Sequence, residues 1–377
     1  MDIRNNVYFA RPGGFFLKAA ASRPASLLLL FTLFWITAAA SFSGFMGKWG
    51  LRDGDKRFGI EVMLNATAHK PFAYRHLVPM LANFADRMTP EPLKKYVAAR
   101  IKPEKTFARA TDVINPELRF RYIVICYLSF VSLLLSLFVL RRILLDMRIG
   151  DTASIVAPMS FVLALPYVQT IGGYYYDSIE LLFMSLAFLI ATRGRVLLLV
   201  TLALAATSNK ETFFFYLPTL YPLLRQRLSP KAALTTTILA ILAAGIINVL
   251  LKTALFDSPG AVAETDHFLT NIRSYLRPWT YLQYEFTYGI ISPKGTFLGT
   301  LAVVAIVVLR SWTRCPITVR QHIAIAAALN VPLFFAFCQT GELRNLSLLF
   351  VGFVILIGLA MDPVINHVTV PTGTSKM

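Results

Sequence analysis

The chain has 377 residues, 56% of them hydrophobic, and 37 Lys and Arg against 20 Asp and Glu give a formal charge of +17. Mean hydropathy is +0.60, and several windows are apolar all round for about 18–20 residues, enough to cross a bilayer core of roughly 30 Å. A soluble domain would show apolar periods of two or 3.6, and a β-barrel would alternate, so both are excluded.

The basic excess lies at the ends of apolar stretches, where Lys and Arg anchor spans and contact anionic lipid head groups. No basic run interleaved with aromatics accompanies it, so nucleic acid is not an expected partner. Cys126, Cys315 and Cys338 are far apart, and the histidines have no metal-ligand spacing, so neither a disulfide framework nor a zinc site is expected. GxGxxG and Walker patterns are absent, which leaves nucleotide hydrolysis unsupported.

In chain order, Arg4, Arg11, Lys18 and Arg23 precede the apolar run Ser26–Met46. Ala38-Ala39-Ala40 imitates a cleavage site, but the long run and its basic leader fit an uncleaved signal anchor better. A long polar connection, residues 47–121, follows. Within it Pro71–Met88 places Leu77, Leu81 and Phe84 at helical spacing beside Arg75, Asp86 and Arg87, the pattern of a helix lying in a membrane interface or packed in a small external domain. Nine further apolar segments are expected at Tyr122–Leu140, Thr152–Ile171, Ser178–Thr192, Val196–Ala206, Phe213–Leu224, Ala232–Leu251, Phe297–Leu309, His322–Gln339 and Leu346–Met361. A second long connection covers residues 252–295.

The expected fold class is therefore all-α, a polytopic bundle of about ten membrane segments forming one integral-membrane domain. Alternate connections carry Arg141, Arg142 and Arg148; Arg193 and Arg195; Arg225, Arg227 and Lys231; and Arg310, Arg314 and Arg320. The positive-inside bias assigns these and the N-terminus to the cytoplasm, and the two long connections to the opposite side. Val196–Leu224 enters and returns through two stretches too short to span, turning at Ser208-Asn209-Lys210-Glu211-Thr212.

Three charged clusters interrupt the apolar stretches after the first long connection: Asp177 with Glu180, Lys210 with Glu211, and Glu342 with Arg344. All emerge on the side of the first long connection, and converging ionisable groups at membrane depth mark a working site. Asp53 and Asp55, just past the first span, could deprotonate an acceptor or coordinate a divalent cation; a solvated acidic turn is the plain alternative. Arg75 could clamp a phosphate or snorkel to lipid head groups. Asp177 opens a helix and could cap it, whereas Glu180 lies deeper. Tyr174, Tyr175 and Tyr176 fit an aromatic belt or a sugar-stacking platform. Lys210 with Glu211 fits either an internal ion pair or a phosphate contact.

The segments PFAYRHLVP, YYYDSIELL, SNKETFFFYLP and GELRN, with the cytoplasmic start, single span and large acidic outer loop, resemble the GT-C superfamily of integral-membrane glycosyltransferases. That resemblance implies transfer of a sugar from a polyprenyl-phosphate-linked donor to an acceptor outside the bacterial cytoplasmic membrane. It also implies Asp53 or Asp55 as the catalytic acid–base group, Arg75 and Lys210 as lipid-phosphate contacts, and Glu342 and Arg344 lining the cavity. Asp177, Glu180 and Glu211 complete the expected substrate-binding set. No cofactor beyond a divalent cation is called for. A secondary transporter or flippase, or a non-catalytic assembly partner, would share the buried charges.

Overall fold

A computed structural model describes residues 23–52, 54–107, 116–259, 267–287 and 289–369. Seven helices among them are long and apolar enough to cross a membrane: Ala25–Lys48, Arg119–Asp146, Asp151–Val168, Tyr175–Thr192, Pro230–Ala254, Ile317–Phe337 and Leu343–Ile365. The protein is a multi-pass helical membrane protein.

The expectation of about ten spans is corrected to these seven. Val196–Ala206 begins a helix of only 14 residues, Val196–Asn209, and Phe297–Leu309 corresponds to another of 14, Leu298–Ser311. At 1.5 Å per residue each reaches about 21 Å, short of a bilayer core. Phe213–Leu224 is broken into three four-residue pieces, Phe213–Tyr216, Leu217–Leu220 and Tyr221–Leu224. Pro218 and Pro222 lie at the joints, where each removes a backbone donor and blocks a regular helix.

We number the helices α1 (Arg23–Lys48), α2 (Leu77–Met88), α3 (Glu91–Arg100), α4 (Arg119–Asp146), α5 (Asp151–Val168), α6 (Tyr175–Thr192), α7 (Val196–Asn209), α8 (Pro230–Ala254), α9 (Phe268–Tyr275), α10 (Leu298–Ser311), α11 (Ile317–Phe337) and α12 (Phe350–Thr369). Helix α4 is central, packing on α1, α5 and α6, while α7 joins α6 to α8 and α12 packs on α5 and α10. Close approach rests on small residues: Ser129 and Ser136 of α4, Ala187 and Ala191 of α6, Ala203 and Ala206 of α7, and Ala240 and Ala244 of α8 are all buried. Ser136 returns its hydroxyl to the Ser132 carbonyl at 2.7 Å, so the polar group is satisfied within its own helix. The outward faces are apolar, as at Leu27, Leu28 and Leu29 of α1 or Ile246, Val249 and Leu250 of α8. Water would not tolerate so continuous an exposed patch, whereas lipid would.

A second apolar core lies under the first long connection. Phe45, Met46 and Leu51 from the end of α1 meet Met63, Ala73, Val78, Tyr122 and the three consecutive tyrosines of residues 174–176. Helix α2 turns Val78 and Ala82 inward and leaves Met80, Leu81, Phe84 and Met88 exposed. The second long connection holds α9 and the hairpin β1 (Tyr284–Thr287)–β2 (Ile290–Pro293), with Tyr284 opposite Pro293 and Thr287 opposite Ile290.

Candidate functional site

Five helix ends meet at one end of the bundle: the C-terminal ends of α1, α5 and α7, the start of α6, and the 3₁₀ segment Leu343–Leu349 that leads into α12. The Gly172-Gly173 turn between α5 and α6 shows why the sequence permits this closeness. Gly172 sits at φ +110°, and a Cβ there would lie 2.9 Å from Oε1 of Glu342. A Cβ on Gly173 would lie 2.5 Å from Cδ1 of Trp49. Only glycine gives both the left-handed backbone and the space.

From that turn Asp177 caps α6 by accepting the Tyr174 amide at 3.0 Å on Oδ2, with Gln169 Nε2 at 3.3 Å. Its other oxygen faces Arg344 at 3.1 Å and Lys210 at 3.5 Å. Asp177 is thus both cap and ion-pair partner. One turn on, Glu180 receives Lys210 Nζ at 2.6 Å on Oε2, and the hydroxyls of Thr212 and Ser347 at 2.8 Å each on Oε1. Both side chains are sealed, at 1% and 3% exposure. Both Glu180 oxygens are hydrogen-bonded, the condition under which a buried ion pair is tolerable.

Arg344 also holds Glu342, at 2.6 Å from NH2 and 3.0 Å from Nε, and its guanidinium lies 4.6 Å from the Tyr174 ring centre. Arg75, immediately before α2, grips Glu211 with two nitrogens, at 2.8 and 3.3 Å, and hydrogen-bonds the Tyr176 hydroxyl. Burial opposes the Glu211 charge, but Arg75 outweighs it and holds the carboxyl below its usual range. Burial likewise opposes the Arg75 charge, and Glu211 more than restores it.

Seven expected site residues therefore come together: Arg75, Asp177, Glu180, Lys210, Glu211, Glu342 and Arg344. Asp55 is not among them. Its Oδ1 accepts the amides of Arg57 and Phe58 at 2.8 and 3.1 Å, which closes a local turn. Asp53 lies outside the described residues. The clustered carboxylates are each engaged by Lys or Arg, and among the described residues no group of three or more His, Cys, Asp or Glu is placed to hold a metal. A divalent cation does not fit that donor set.

Other contributors carry no spacing that marks them in the sequence. Ser347 and Gln169 are ordinary helix-end residues until the fold sets them on Glu180 and Asp177. Asn209 donates to the Tyr176 carbonyl at 3.1 Å while its Oδ1, fully buried, finds no partner among the described residues. Arg52 stacks on Trp49 and Tyr174, with ring-centre distances of 4.0 and 4.7 Å.

Buried, directional and drawn from distant parts of the chain, this network can orient an ionic substrate group and exclude water around it. No family model matches the chain, and neither a curated protein nor a solved structure matches it.

Proposed function

We propose that the protein is a GT-C-type membrane glycosyltransferase, moving a sugar from a polyprenyl-phosphate-linked donor to an extracytoplasmic acceptor of the cell envelope. One observation carries this: four carboxylates and three cations, brought from the first long connection and several helix ends, meet as two adjoining, largely buried ion-pair groups at one end of the bundle, Arg75 with Glu211 and Lys210 and Arg344 with Asp177, Glu180 and Glu342. The exposed apolar face of α2 suits a lipid chain lying in the interface. The cations Arg75, Lys210 and Arg344 are the groups that would stabilise charge developing on a phosphate leaving group, and no nucleotide-binding domain is needed.

In this scheme Asp53 or Asp55 removes the acceptor proton, and the cation-bearing residues Arg75, Lys210 and Arg344 orient the donor phosphate. The network end faces outward, and Arg141, Arg142, Arg193 and Arg225 face the cytoplasm. The test is transfer of a labelled sugar from a polyprenyl-phosphate donor by wild type and by Asp53→Asn, Asp55→Asn and Lys210→Ala. Loss in at least one carboxylate variant and in Lys210→Ala is expected; full activity in all three overturns the assignment.

A transporter is the second reading, favoured by one feature. The hydroxyls that hold Glu180 come from Thr212 and Ser347, each beside or within an irregular helical segment of the kind that lines transport sites. Flux of a labelled lipid-phosphate or small anion across proteoliposomes, without sugar transfer, would favour it.

A further inference from the structure

Arg52 is unlike the other cations at this end. Arg75, Lys210 and Arg344 each reach a carboxylate within 3.5 Å, whereas no carboxylate among the described residues forms a salt bridge with Arg52. Its Nε donates to the Gly173 carbonyl at 3.1 Å, and the two terminal amino groups have no protein acceptor among the described residues. They are not sealed either, because Arg52 remains partly exposed.

The side chain is nonetheless held in place. Its guanidinium carbon lies 4.0 Å from the Trp49 ring centre, 4.7 Å from that of Tyr174 and 5.6 Å from that of Phe58. Trp49 is itself pinned through Nε1 to the Gln169 carbonyl at 2.7 Å, and the missing side chain of Gly173 leaves it room. Arg52 adopts φ +59°, a left-handed conformation that costs a non-glycine residue of order 1 kcal/mol and persists where the surroundings enforce it. Arg344 lies on the same Tyr174 ring, so two guanidinium groups are brought close, and among the described residues only Arg344 forms salt bridges. Burial lowers the Arg52 pKa and Arg344 adds to this, against the opposing pull of Tyr174, Tyr176 and Asp177, and a bound anion would offset the remaining cost of the charge.

We propose that Arg52 is an anion-binding residue that takes a phosphate group on its two terminal amino groups. The planar fork matches two phosphate oxygens, and the aromatic stack removes the entropy cost of ordering it. The ligand chemistry is that of a lipid phosphate head group or of free phosphate. Only the assignment of that phosphate to a sugar donor rests on the transferase proposal. The competing explanation is purely structural: Arg52 is the fourth cation beside four carboxylates and balances their charge at a distance.

The test uses the full chain in phosphatidylcholine nanodiscs, with calorimetric titration of farnesyl phosphate, farnesol and inorganic phosphate. Wild type is expected to bind farnesyl phosphate at least about tenfold more tightly than farnesol, and Arg52→Gln to lose at least about tenfold of that affinity, in line with loss of a charge-assisted bidentate contact. Arg52→Lys, which keeps the charge but not the fork, is expected between the two and serves if Arg52→Gln does not fold. Competition by inorganic phosphate at equal affinity would identify free phosphate as the ligand; weak competition would identify the lipid phosphate. Wild-type affinity in the folded variants, or equal binding of farnesol and farnesyl phosphate, overturns the proposal. If Arg52→Gln loses phosphate binding while wild type transfers no sugar, the anion site stands and the transferase falls. If wild type transfers sugar and both transfer and binding survive Arg52→Gln, the reverse holds.

Discussion

At the scale of single residues the clearest energetic statement concerns Lys210 and Glu180. Their attraction is strong only because both are shielded from water, and the same shielding makes either one alone costly. Lys210→Ala is therefore expected to destabilise the protein by about 3–5 kcal/mol, whereas Glu180→Gln with Lys210→Met removes both charges and is expected to cost less. Thermal unfolding in nanodiscs measures the difference; equal losses would mean the pair is not electrostatically coupled. Glu211 gives a pH signature. Its folded-state pKa is depressed, with burial opposed and outweighed by Arg75, so its contribution is complete above the unfolded value of about 4.3 and is lost as pH falls through the lower folded value. The melting-temperature gap between wild type and Glu211→Gln is expected to be widest near neutral pH and to close in acid; a gap constant with pH would contradict this. The sequence exposes these residues because charges inside apolar runs are conspicuous. It hides which charge meets which: Lys210 and Glu211 are neighbours in the chain, yet they pair with Glu180 and Arg75.

At the scale of elements, the turn between α5 and α6 and the two long connections matter most. Trp49 is tied to the Gln169 carbonyl and cannot retreat freely, so Gly173→Ala forces a Cβ into it at 2.5 Å. A loss of about 1–3 kcal/mol is expected, typical of overpacking. An unchanged melting temperature would show that Trp49 yields. In the second connection, Phe268, Leu269, Leu276, Trp279, Phe286 and Ile291 are exposed beside Arg273 and Arg277, the mixture that seats a segment in a membrane interface. Brominated lipids are expected to quench the fluorescence that Trp279→Phe removes; if the difference signal is unquenched, this segment stands clear of the membrane. Helix α2 was legible from its spacing, but not which face it buries, because Val78 and Ala82 inside and Leu81 and Phe84 outside are all apolar. The hairpin was not legible, since two four-residue strands leave too short an alternation.

At the scale of the whole molecule, apolar run length announces membrane helices reliably when a run is uninterrupted, as in α4 or α8. It overcounted where runs were short or broken by Pro218 and Pro222, which turned ten expected spans into seven. The convergence of the charged clusters at one end could be anticipated from threading, because alternate helix ends must share a side. The closed network could not, because it depends on Ser347, Gln169 and the Gly172-Gly173 turn. The opposite end carries its own pairs, Arg142 with Asp146 at 2.8 Å and Arg141 with Asp151 at 3.1 Å, but these are more exposed and contribute little. The two ends therefore differ in kind, and the ligand is expected at only one. The most direct measurement is a cryo-electron microscopy structure of the protein in nanodiscs with a polyprenyl phosphate. Phosphate density within reach of Arg52, Arg75 or Arg344, with the lipid chain running along α2, is the predicted result. Phosphate density at the end that holds Arg141 and Arg193, with none at the Tyr174 side, would contradict it.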